Sequence, residues 1–225
     1  MSLTIILVDC GLEIIPKQIR HNPSISRSIS QKNYSSQLLD NALHHNAMKN
    51  LKNFEKRGRP DITHLCLLNA LGSPLNKQKK LKLYIHTINN KIFEINPDIR
   101  IARNYNRFKG LMAKLLIEER IATEDSILIS SVNENLQNLI NKFENSELLL
   151  FSHKGRLIKT YRDLFSEDSN KNYVAVIGGF QKNTFSKEIL QLSENLISLS
   201  DYSLDAWIVV SKITNYYEII HEIDS

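Results

Sequence analysis

The chain has 225 residues, of which 42% are hydrophobic and 24% are charged, and its formal net charge is +5. These values are typical of a soluble globular protein with a sizeable core. No apolar run approaches the ~18 residues that a membrane span needs, and the N-terminus lacks a signal-peptide pattern. We therefore expect one domain over residues 1–225, no contact with a membrane and a cytoplasmic location.

The two cysteines indicate the state of the thiols, and the net charge gives a weak indication of the kind of partner that the protein binds. Cys10 and Cys66 are too few for a zinc site and stand in apolar contexts. We expect buried thiols rather than a disulfide, and no metal. The positive charge favours an anionic partner slightly, because the distribution of charge matters more than its total.

The first quarter of the chain predicts a strand, a polar excursion and a helix. "MSLTIILVD" reads as a first buried strand, and residues 16–36 as a basic, serine-rich excursion that is extended or mobile. An amphipathic helix follows, because apolar residues recur at steps of three and four. These residues are Leu39, Leu43, Ala47, Leu51 and Phe54.

The next elements are a helix over 59–71, a turn at "GSPLNK" and a hairpin. Two β-rich runs in "KLKLYIHTINNKIFEI" are separated by Asn89 and Asn90, and asparagine tolerates the positive φ of tight turns. We treat this hairpin, residues 78–97, as an insertion in the domain. "RFKGLMAKLLIEE" then predicts a helix with one apolar side. The side chains facing inwards are Phe108, Leu111, Met112, Leu115 and Leu116.

The second half alternates short apolar strands with helical patterns. The strands are "SILIS", "ELLLF", "YVAVIGGF" and "LISLS", and helices are predicted over 133–144, 186–192 and 203–222. Continuous apolar strands covered by helices predict a mostly parallel α/β sheet. Ligands of such sheets bind at the carboxyl ends of the strands.

Three strand ends are candidate binding loops: "LLLFSHKG", "VAVIGGFQKN" and "LISLSDYSL". Gly178 and Gly179 permit a close backbone approach to a ligand. The alternative is that Gly178 and Gly179 form an ordinary strand-to-loop turn and that Ser200 and Asp201 form an ordinary helix cap. The histidines show no spacing typical of a metal site or a hydrolytic triad.

Basic residues cluster just before the third predicted helix. Arg100, Arg103 and Arg107 are interleaved with Tyr105 and Phe108. Steps of three and four place the three arginines on one helical face, provided that the stretch is helical throughout. Arginine binds phosphates bidentately and aromatic rings stack on bases, so the cluster is a candidate RNA contact. A solvated basic face is the alternative.

An arginine also stands at the entrance of the 59–71 helix, in "RGRPDITHLCLL". The partial positive charge of a helix start favours Asp61 and repels Arg59. This placement indicates that an anion is expected there.

Four motifs in this order identify a family resemblance: "RGRPDITHLCLLNALGSPLNK", "LYIHTINNKIFEINPDIRIARNYNRFKGLM", "VIGGF" and "ISLSDYSLDA". Together they resemble the pseudouridine-N1 methyltransferases of small-subunit ribosome assembly, a branch of the SPOUT, or trefoil-knot, superfamily. The resemblance implies a mostly parallel α/β sheet with a C-terminal trefoil knot that binds S-adenosylmethionine, and a homodimer. It implies methylation of N1 of a pseudouridine in a hairpin loop of small-subunit rRNA.

The resemblance also implies roles for individual residues. Arg59 is expected to contact RNA and to act in catalysis, with Asp61 holding it in place. Asp61 is a weaker candidate for a general base, because pairing with arginine lowers the pKa of a carboxylate. The other implied RNA contacts are Arg100, Arg103 and Arg107. The implied cofactor positions are Phe151, Gly178, Asn183, Leu199, Ser200, Asp201, Tyr202, Ser203 and Leu204.

The sequence departs from the family at three of its motif positions. Asn183 stands where the family commonly has glycine, and Ala102 and Ser203 stand where it commonly has proline. Two other functions stay open. One is an rRNA-binding assembly factor with incidental or lost methyltransferase activity, and the other is a knotted enzyme that methylates ordinary uridine at another atom. Cofactor binding separates the first from the enzyme, and the Arg-Pro-Asp motif argues against the second.

Overall fold

A computed structural model describes residues 2–28, 37–143, 145–168, 170–181 and 184–223. Within these ranges eight strands form one sheet. The strands are β1 (Leu3–Cys10), β2 (Leu81–Thr87), β3 (Ile92–Ile95), β4 (Arg120–Ala122), β5 (Ile127–Val132), β6 (Ser146–Leu157), β7 (Asn172–Gly178) and β8 (Leu196–Ser198). The α-helices are α1 (Pro23–Ser28), α2 (Asn41–Met48), α3 (Pro60–Gly72), α4 (Pro74–Lys77), α5 (Tyr105–Glu118), α6 (Leu136–Asn141), α7 (Lys187–Leu190) and α8 (Ala206–Ile220).

The sheet has a parallel part and an antiparallel part, in the order β4-β5-β3-β2-β1-β7-β6-β8. The strands from β2 to β8 in this order are parallel to their neighbours. β3, β5 and β4 pair antiparallel and extend the sheet at the side of β2. The mostly parallel α/β sheet predicted from the sequence is confirmed.

The predicted hairpin is present and forms part of this sheet. β2 and β3 are joined by a turn in which Asn90 has a φ of 59°, as the Asn-Asn pair indicated. However, β2 also pairs in parallel with β1, so residues 78–97 contribute to the centre of the sheet. The "SILIS" run forms β5, which pairs antiparallel with β3.

Side chains of β1 alternate between the two faces of the sheet, and both faces are covered. Leu3, Ile5 and Leu7 pack with residues of α3, α5 and α8 in the larger core cluster. Ile6 and Val8 point to the opposite face and pack with α6 and α7. β1 is thus buried on both faces, which is why its sequence is a continuous apolar run.

Two predicted helices have the expected limits, and a third is shorter. α3 and α5 match the predictions, and Phe108, Met112 and Leu115 are buried. The helix predicted over Leu39 to Phe54 is wrong in its second half. α2 ends at Met48, and Asn53 takes a left-handed φ of 56° before a 3-10 turn. Leu43 is 54% exposed, so it does not lie on the buried face.

Two short segments contain structure that the sequence patterns did not indicate. The "GSPLNK" turn contains α4, whose N-terminus is capped by the Ser73 hydroxyl accepting from Asn76 N. Within the 16–36 segment, residues 17–28 form a 3-10 helix and α1. Ile19 and Ile25 are buried there against Leu39. The rest of that segment, residues 29–36, lies outside the described residues.

Over the described ranges, no helix combines the length and the apolar character that crossing a membrane requires.

Cys10 and Cys66 are buried and free, and burial raises the pKa of both thiols. In the same part of the chain, no group of three or more His, Cys, Asp and Glu side chains is arranged to hold a metal ion.

β6 contacts β8 twice, and this brings two backbones very close together. Phe151 and Arg156 both pair with Ile197, and the chain bends between them. A Cβ built on Gly155 would lie 2.4 Å from the backbone nitrogen of Ile197 and 2.5 Å from the carbonyl carbon of Leu196. Only glycine allows this approach.

We therefore expect Gly155→Ala to lower the free energy of unfolding by about 2 kcal/mol or more, since backbone atoms must move apart. Thermal unfolding should show a fall in Tm of several degrees. Gly110→Ala is the matched control, because nothing lies within 4 Å of its added Cβ in α5. The control should leave the Tm unchanged or raise it. Equal Tm values for wild type and Gly155→Ala would contradict the close contact.

Candidate active site

A cavity of about 200 Å³ lies where β7 and β8 end, beside the start of α3. It brings together residues that are far apart in the sequence. The predicted site residues that line it are Arg59, Phe151, Gly178, Leu199, Ser200, Tyr202, Ser203 and Leu204. Asp201 is exposed on the same loop and does not line the cavity. Asn183 lies outside the described residues.

Arg59 and Asp61 form a bidentate ion pair at the start of α3. Arg59 Nε donates to Asp61 Oδ1 at 2.8 Å, and a terminal guanidinium nitrogen of Arg59 donates to Oδ2 at 2.6 Å. Pro60 stands between them in the first helical turn, where its fixed φ is favourable. Both carboxylate oxygens are therefore used, whereas three of the five N–H donors of an arginine take no part in such a pair.

The backbone of Arg59 is fixed by the chain that follows β1. Gly11 O accepts from Arg59 N at 3.2 Å. A Cβ on Gly11 would lie 2.8 Å from Lys56 O and 2.9 Å from Arg59 N, so the two segments could not come this close with another residue there. Two ion pairs flank this contact: Lys56 with Asp9 at 2.7 Å and Arg57 with Glu13 at 2.6 Å. The orientation of Arg59 thus depends on buried contacts on both sides of Gly11.

The charge of Arg59 is stabilised by its surroundings. Its side chain is only 18% exposed. The hydrogen bonds that Arg59 donates to Asp61 raise the pKa of Arg59, and the charges of Asp61, Tyr105 and Asp205 add to this effect. Arg59 therefore stays a cation at the edge of the cavity, ready to contact an anionic group.

The three predicted RNA-binding arginines do not lie on one helical face. Arg100 and Arg103 precede α5, which begins at Tyr105, and only Arg107 lies in the helix. The expectation of one helical face is therefore wrong, because Asn104 caps the helix and itself has an extended backbone conformation, so Arg100 and Arg103 lie outside the helix. All three arginines are exposed.

The loop that carries Arg100 and Arg103 is attached to α3. His64 Nε2 donates to Ala102 O at 2.7 Å, and the His64 ring stacks on Phe108 with a centroid distance of 4.3 Å. His64 is buried and lies one helical turn after Asp61. The same helix therefore positions the Arg59–Asp61 pair and this basic loop.

The strand-end loops at the cavity are tightly packed. A Cβ on Gly179 would lie 2.4 Å from Cys10 Sγ, so this glycine serves packing beneath the loop. After β8, Ser198 Oγ donates to Ser200 O at 2.8 Å, and Ser200 Oγ accepts from Tyr202 N at 3.2 Å. The alternative that Ser200 and Asp201 cap the following helix is wrong, because the N-cap of α8 is Asp205.

Several residues of the cavity were not predicted from the sequence. Trp207, Asp205 and His153 line it, together with apolar residues at the strand ends. Asp205 lies inside the helix predicted over 203–222, but α8 begins at Ala206, and an aspartate directly before a helix is a recognisable N-cap signal. His153 carried no such signal, since its position at the cavity depends on how β6 bends around β8.

A second cavity, of about 440 Å³, lies on the other side of the sheet and contains none of the predicted site residues. His86 lines it, with Nδ1 accepting from Asp9 N at 3.3 Å. Burial lowers the pKa of His86. The smaller cavity is the candidate active site, because it alone of these two joins the Arg59–Asp61 pair to the strand-end loops.

Comparison with known proteins identifies the family. A profile described as EMG1/NEP1 methyltransferase matches residues 5–218. Two proteins named ribosomal RNA small subunit methyltransferase Nep1 are each 38% identical to this chain. The protein of Staphylothermus marinus aligns over 214 residues, which are 94% of this chain and 93% of that protein. The protein of Thermococcus sibiricus aligns over 221 residues, which are 96% of this chain and 97% of that protein. The crystal structure of Archaeoglobus fulgidus Nep1 bound to S-adenosylhomocysteine is 34% identical. It matches with a TM-score of 0.87 over 99% of this chain and 100% of that one, which confirms the SPOUT-type fold class that the sequence resemblance implied. The chain belongs to the EMG1/NEP1 methyltransferase family.

Proposed function

We propose that the protein uses S-adenosylmethionine to methylate N1 of a pseudouridine in a hairpin loop of small-subunit rRNA, during ribosome assembly. The observation that carries this proposal is that Arg59, paired with Asp61, lines the same cavity as the loops that follow β7 and β8. One cavity therefore combines a fixed cation for the RNA with loops suited to a nucleoside cofactor.

The cofactor fits the groups that line the cavity. Apolar side chains of Phe151, Ile177 and Trp207 suit an adenine ring, and the hydroxyls of Ser198 and Ser200 suit a ribose. We assign cofactor binding to these residues and to the predicted positions that line the cavity after β8, which are Leu199, Ser200, Tyr202, Ser203 and Leu204. S-adenosylmethionine supplies an electrophilic methyl group when it is bound. The A. fulgidus relative bound to S-adenosylhomocysteine supports this assignment.

The chemistry of the base supports a specificity for pseudouridine. Pseudouridine is joined to the ribose through carbon, so N1 carries a hydrogen and is free to react. N1 of uridine is occupied by the glycosidic bond. The protein must then extrude the base into the cavity, align N1 and assist the loss of its proton.

Arg59 is the residue that we assign to stabilise the negative charge that develops on the base. Its guanidinium keeps donors beyond the Asp61 pair and lies at the cavity. A fixed cation in a partly enclosed site stabilises such charge without reorganisation. Asp61 acts as the residue that orients Arg59, because both of its oxygens are already occupied.

Arg100, Arg103 and Arg107 are assigned to the RNA backbone. All three are exposed, and two of them lie on the loop that His64 holds beside α3. Exposed arginines near a base-binding cavity suit phosphate contacts, which provide affinity and position the loop.

Three further proposals concern the assembly and the location. We propose a C-terminal trefoil knot, which the double contact of β6 with β8 supports.

We propose a homodimer formed through apolar side chains near the cavity, since Tyr202 is 79% exposed and Leu157 and Ile208 are exposed as well. Sedimentation velocity should give twice the monomer mass. The two free, buried cysteines suit a reducing compartment such as the cytoplasm.

A ribosome-assembly factor without activity is the second candidate. Exposed arginines serve this function equally well. The presence of a cavity with apolar walls and hydroxyl groups beside Arg59 favours the enzyme, because RNA binding alone requires no such cavity.

Methyl transfer from labelled S-adenosylmethionine to two synthetic hairpins tests the proposal. The hairpins differ only in having pseudouridine or uridine at the target position. We expect label on the pseudouridine hairpin alone. Binding of both hairpins with label on neither would favour the assembly factor, and label on uridine would contradict the chemistry proposed for N1.

Arg59→Ala should retain cofactor affinity, since the strand-end loops are unchanged, and should reduce RNA affinity or methyl transfer by about tenfold or more. Titration with S-adenosylhomocysteine and with the hairpin measures the two effects separately. Arg120→Ala is the control, because Arg120 is an exposed arginine in β4 at the opposite edge of the sheet. An Arg59→Ala protein with undiminished RNA binding and turnover would overturn the assignment.

Arg100→Ala should weaken hairpin binding and make it less dependent on salt. Each lost phosphate contact should reduce the slope of log K against log salt by about 0.7 to 0.9. Hairpin affinities measured at several salt concentrations give this slope. A slope identical to that of the wild-type protein would show that Arg100 does not contact a phosphate.

A further inference from the structure

An aspartate other than Asp61 lines the cavity and has no established role. Asp205 is the N-cap residue of α8, and its carbonyl oxygen accepts from Ile208 N at 2.9 Å and from Val209 N at 3.1 Å. Its backbone is therefore fixed by the helix. Its side chain, however, makes no capping hydrogen bond, although aspartate usually does so at this position.

Asp205 differs from Asp61 in what surrounds its carboxylate. Asp61 gives both oxygens to Arg59. For Asp205, no side-chain hydrogen bond or ion pair is formed within the described parts of the chain. Asp205 and Arg59 line the same cavity, and the charge of Asp205 adds to the raised pKa of Arg59, after Asp61 and Tyr105. Asp205 therefore lines the cavity with both carboxylate oxygens available to a ligand, whereas both oxygens of Asp61 accept from Arg59.

We infer that Asp205 is a catalytic residue that accepts the N1–H group of the target pseudouridine, first as a hydrogen bond and then as the proton that leaves. This inference rests on the proposed function and adds the missing proton acceptor to it. It also assigns a source of specificity. At the edge where pseudouridine has N1–H, uridine has a C–H group, which gives a carboxylate no comparable hydrogen bond.

The step balances without any further reactant. The N1–H bond breaks and its proton passes to an Asp205 oxygen. The electron pair left on N1 forms the bond to the methyl carbon, and the pair of the broken carbon–sulfur bond stays on sulfur. Asp205 then returns the proton to water, and Arg59 stabilises the charge on the base while N1 is losing its proton.

His153 is the competing proton acceptor, because it also lines the cavity and is exposed. It lies on the bend of β6, whereas Asp205 is the N-cap residue of α8 and its charge acts on Arg59 at the same cavity. Since Arg59 is the residue assigned to the base, the proton acceptor is expected beside Arg59. A His153→Gln variant tests the competing assignment directly.

The experiment compares wild type with Asp205→Ala, Asp205→Asn and His153→Gln. Hairpin affinity is measured without a methyl donor, for the pseudouridine and the uridine hairpin, and methyl transfer is measured separately. Affinity for S-adenosylhomocysteine, which lacks the sulfonium charge, checks that the loop after β8 is intact. Asp125→Asn is the matched control, since Asp125 is exposed between β4 and β5 at the far edge of the sheet.

We expect wild type to bind the pseudouridine hairpin about tenfold more tightly than the uridine hairpin, the size of a hydrogen bond to a charged group. Asp205→Ala should lose this preference and slow methyl transfer at least about 100-fold. Asp205→Asn keeps an acceptor oxygen, so it should keep part of the preference while transfer stays slow. S-adenosylhomocysteine affinity should stay within about twofold in both variants.

Three outcomes would overturn the inference: an unchanged preference and rate in Asp205→Ala, a rate loss confined to His153→Gln, or a loss of S-adenosylhomocysteine binding that indicates a structural role. These three outcomes differ from the result that would show the proposed function itself to be wrong. If wild type labels neither hairpin, the proposed function is wrong. If wild type and Asp205→Ala label the pseudouridine hairpin equally, only the role of Asp205 is wrong.

Discussion

The close contact between the segment after β1 and the segment before α3 is the constraint on which the site depends. Gly11 lets its backbone reach that of Arg59, and buried ion pairs hold the neighbouring Lys56 and Arg57. A charged arginine is thereby kept largely buried at a helix start that repels it. The bidentate pair with Asp61 offsets this repulsion and fixes the direction of the guanidinium.

Helix α3 transmits this constraint to the rest of the proposed RNA surface. Its first turn holds Arg59 and Asp61, and its second turn presents His64 to the carbonyl of Ala102. The basic loop is thus fixed relative to the cavity by a buried hydrogen bond, although the arginines on it are exposed. Rigid positioning of this kind reduces the entropy lost when RNA binds.

Local patterns predicted the elements well, whereas contacts between distant segments were not predictable from them. Apolar runs and the Asn-Asn turn indicated β1 and the β2–β3 hairpin, because their causes lie within a few residues. The prediction that Arg100, Arg103 and Arg107 share one helical face was wrong, because α5 begins only after Arg100 and Arg103, with Asn104 as its N-cap. The Arg59–Asp61 pair came from a family resemblance, and its contact with Gly11 depends on residues 48 positions apart, which no periodicity reveals.

The central claim is that one cavity receives both the cofactor and the target base, with Arg59 between the RNA and the reacting atom. A crystal structure of the protein with S-adenosylhomocysteine and the pseudouridine hairpin tests this claim most directly. The account predicts an extruded pseudouridine in the cavity, with the Arg59 guanidinium at the RNA and the cofactor against the loop after β8. A target base that remains stacked in the hairpin, or that binds away from Arg59, would contradict it.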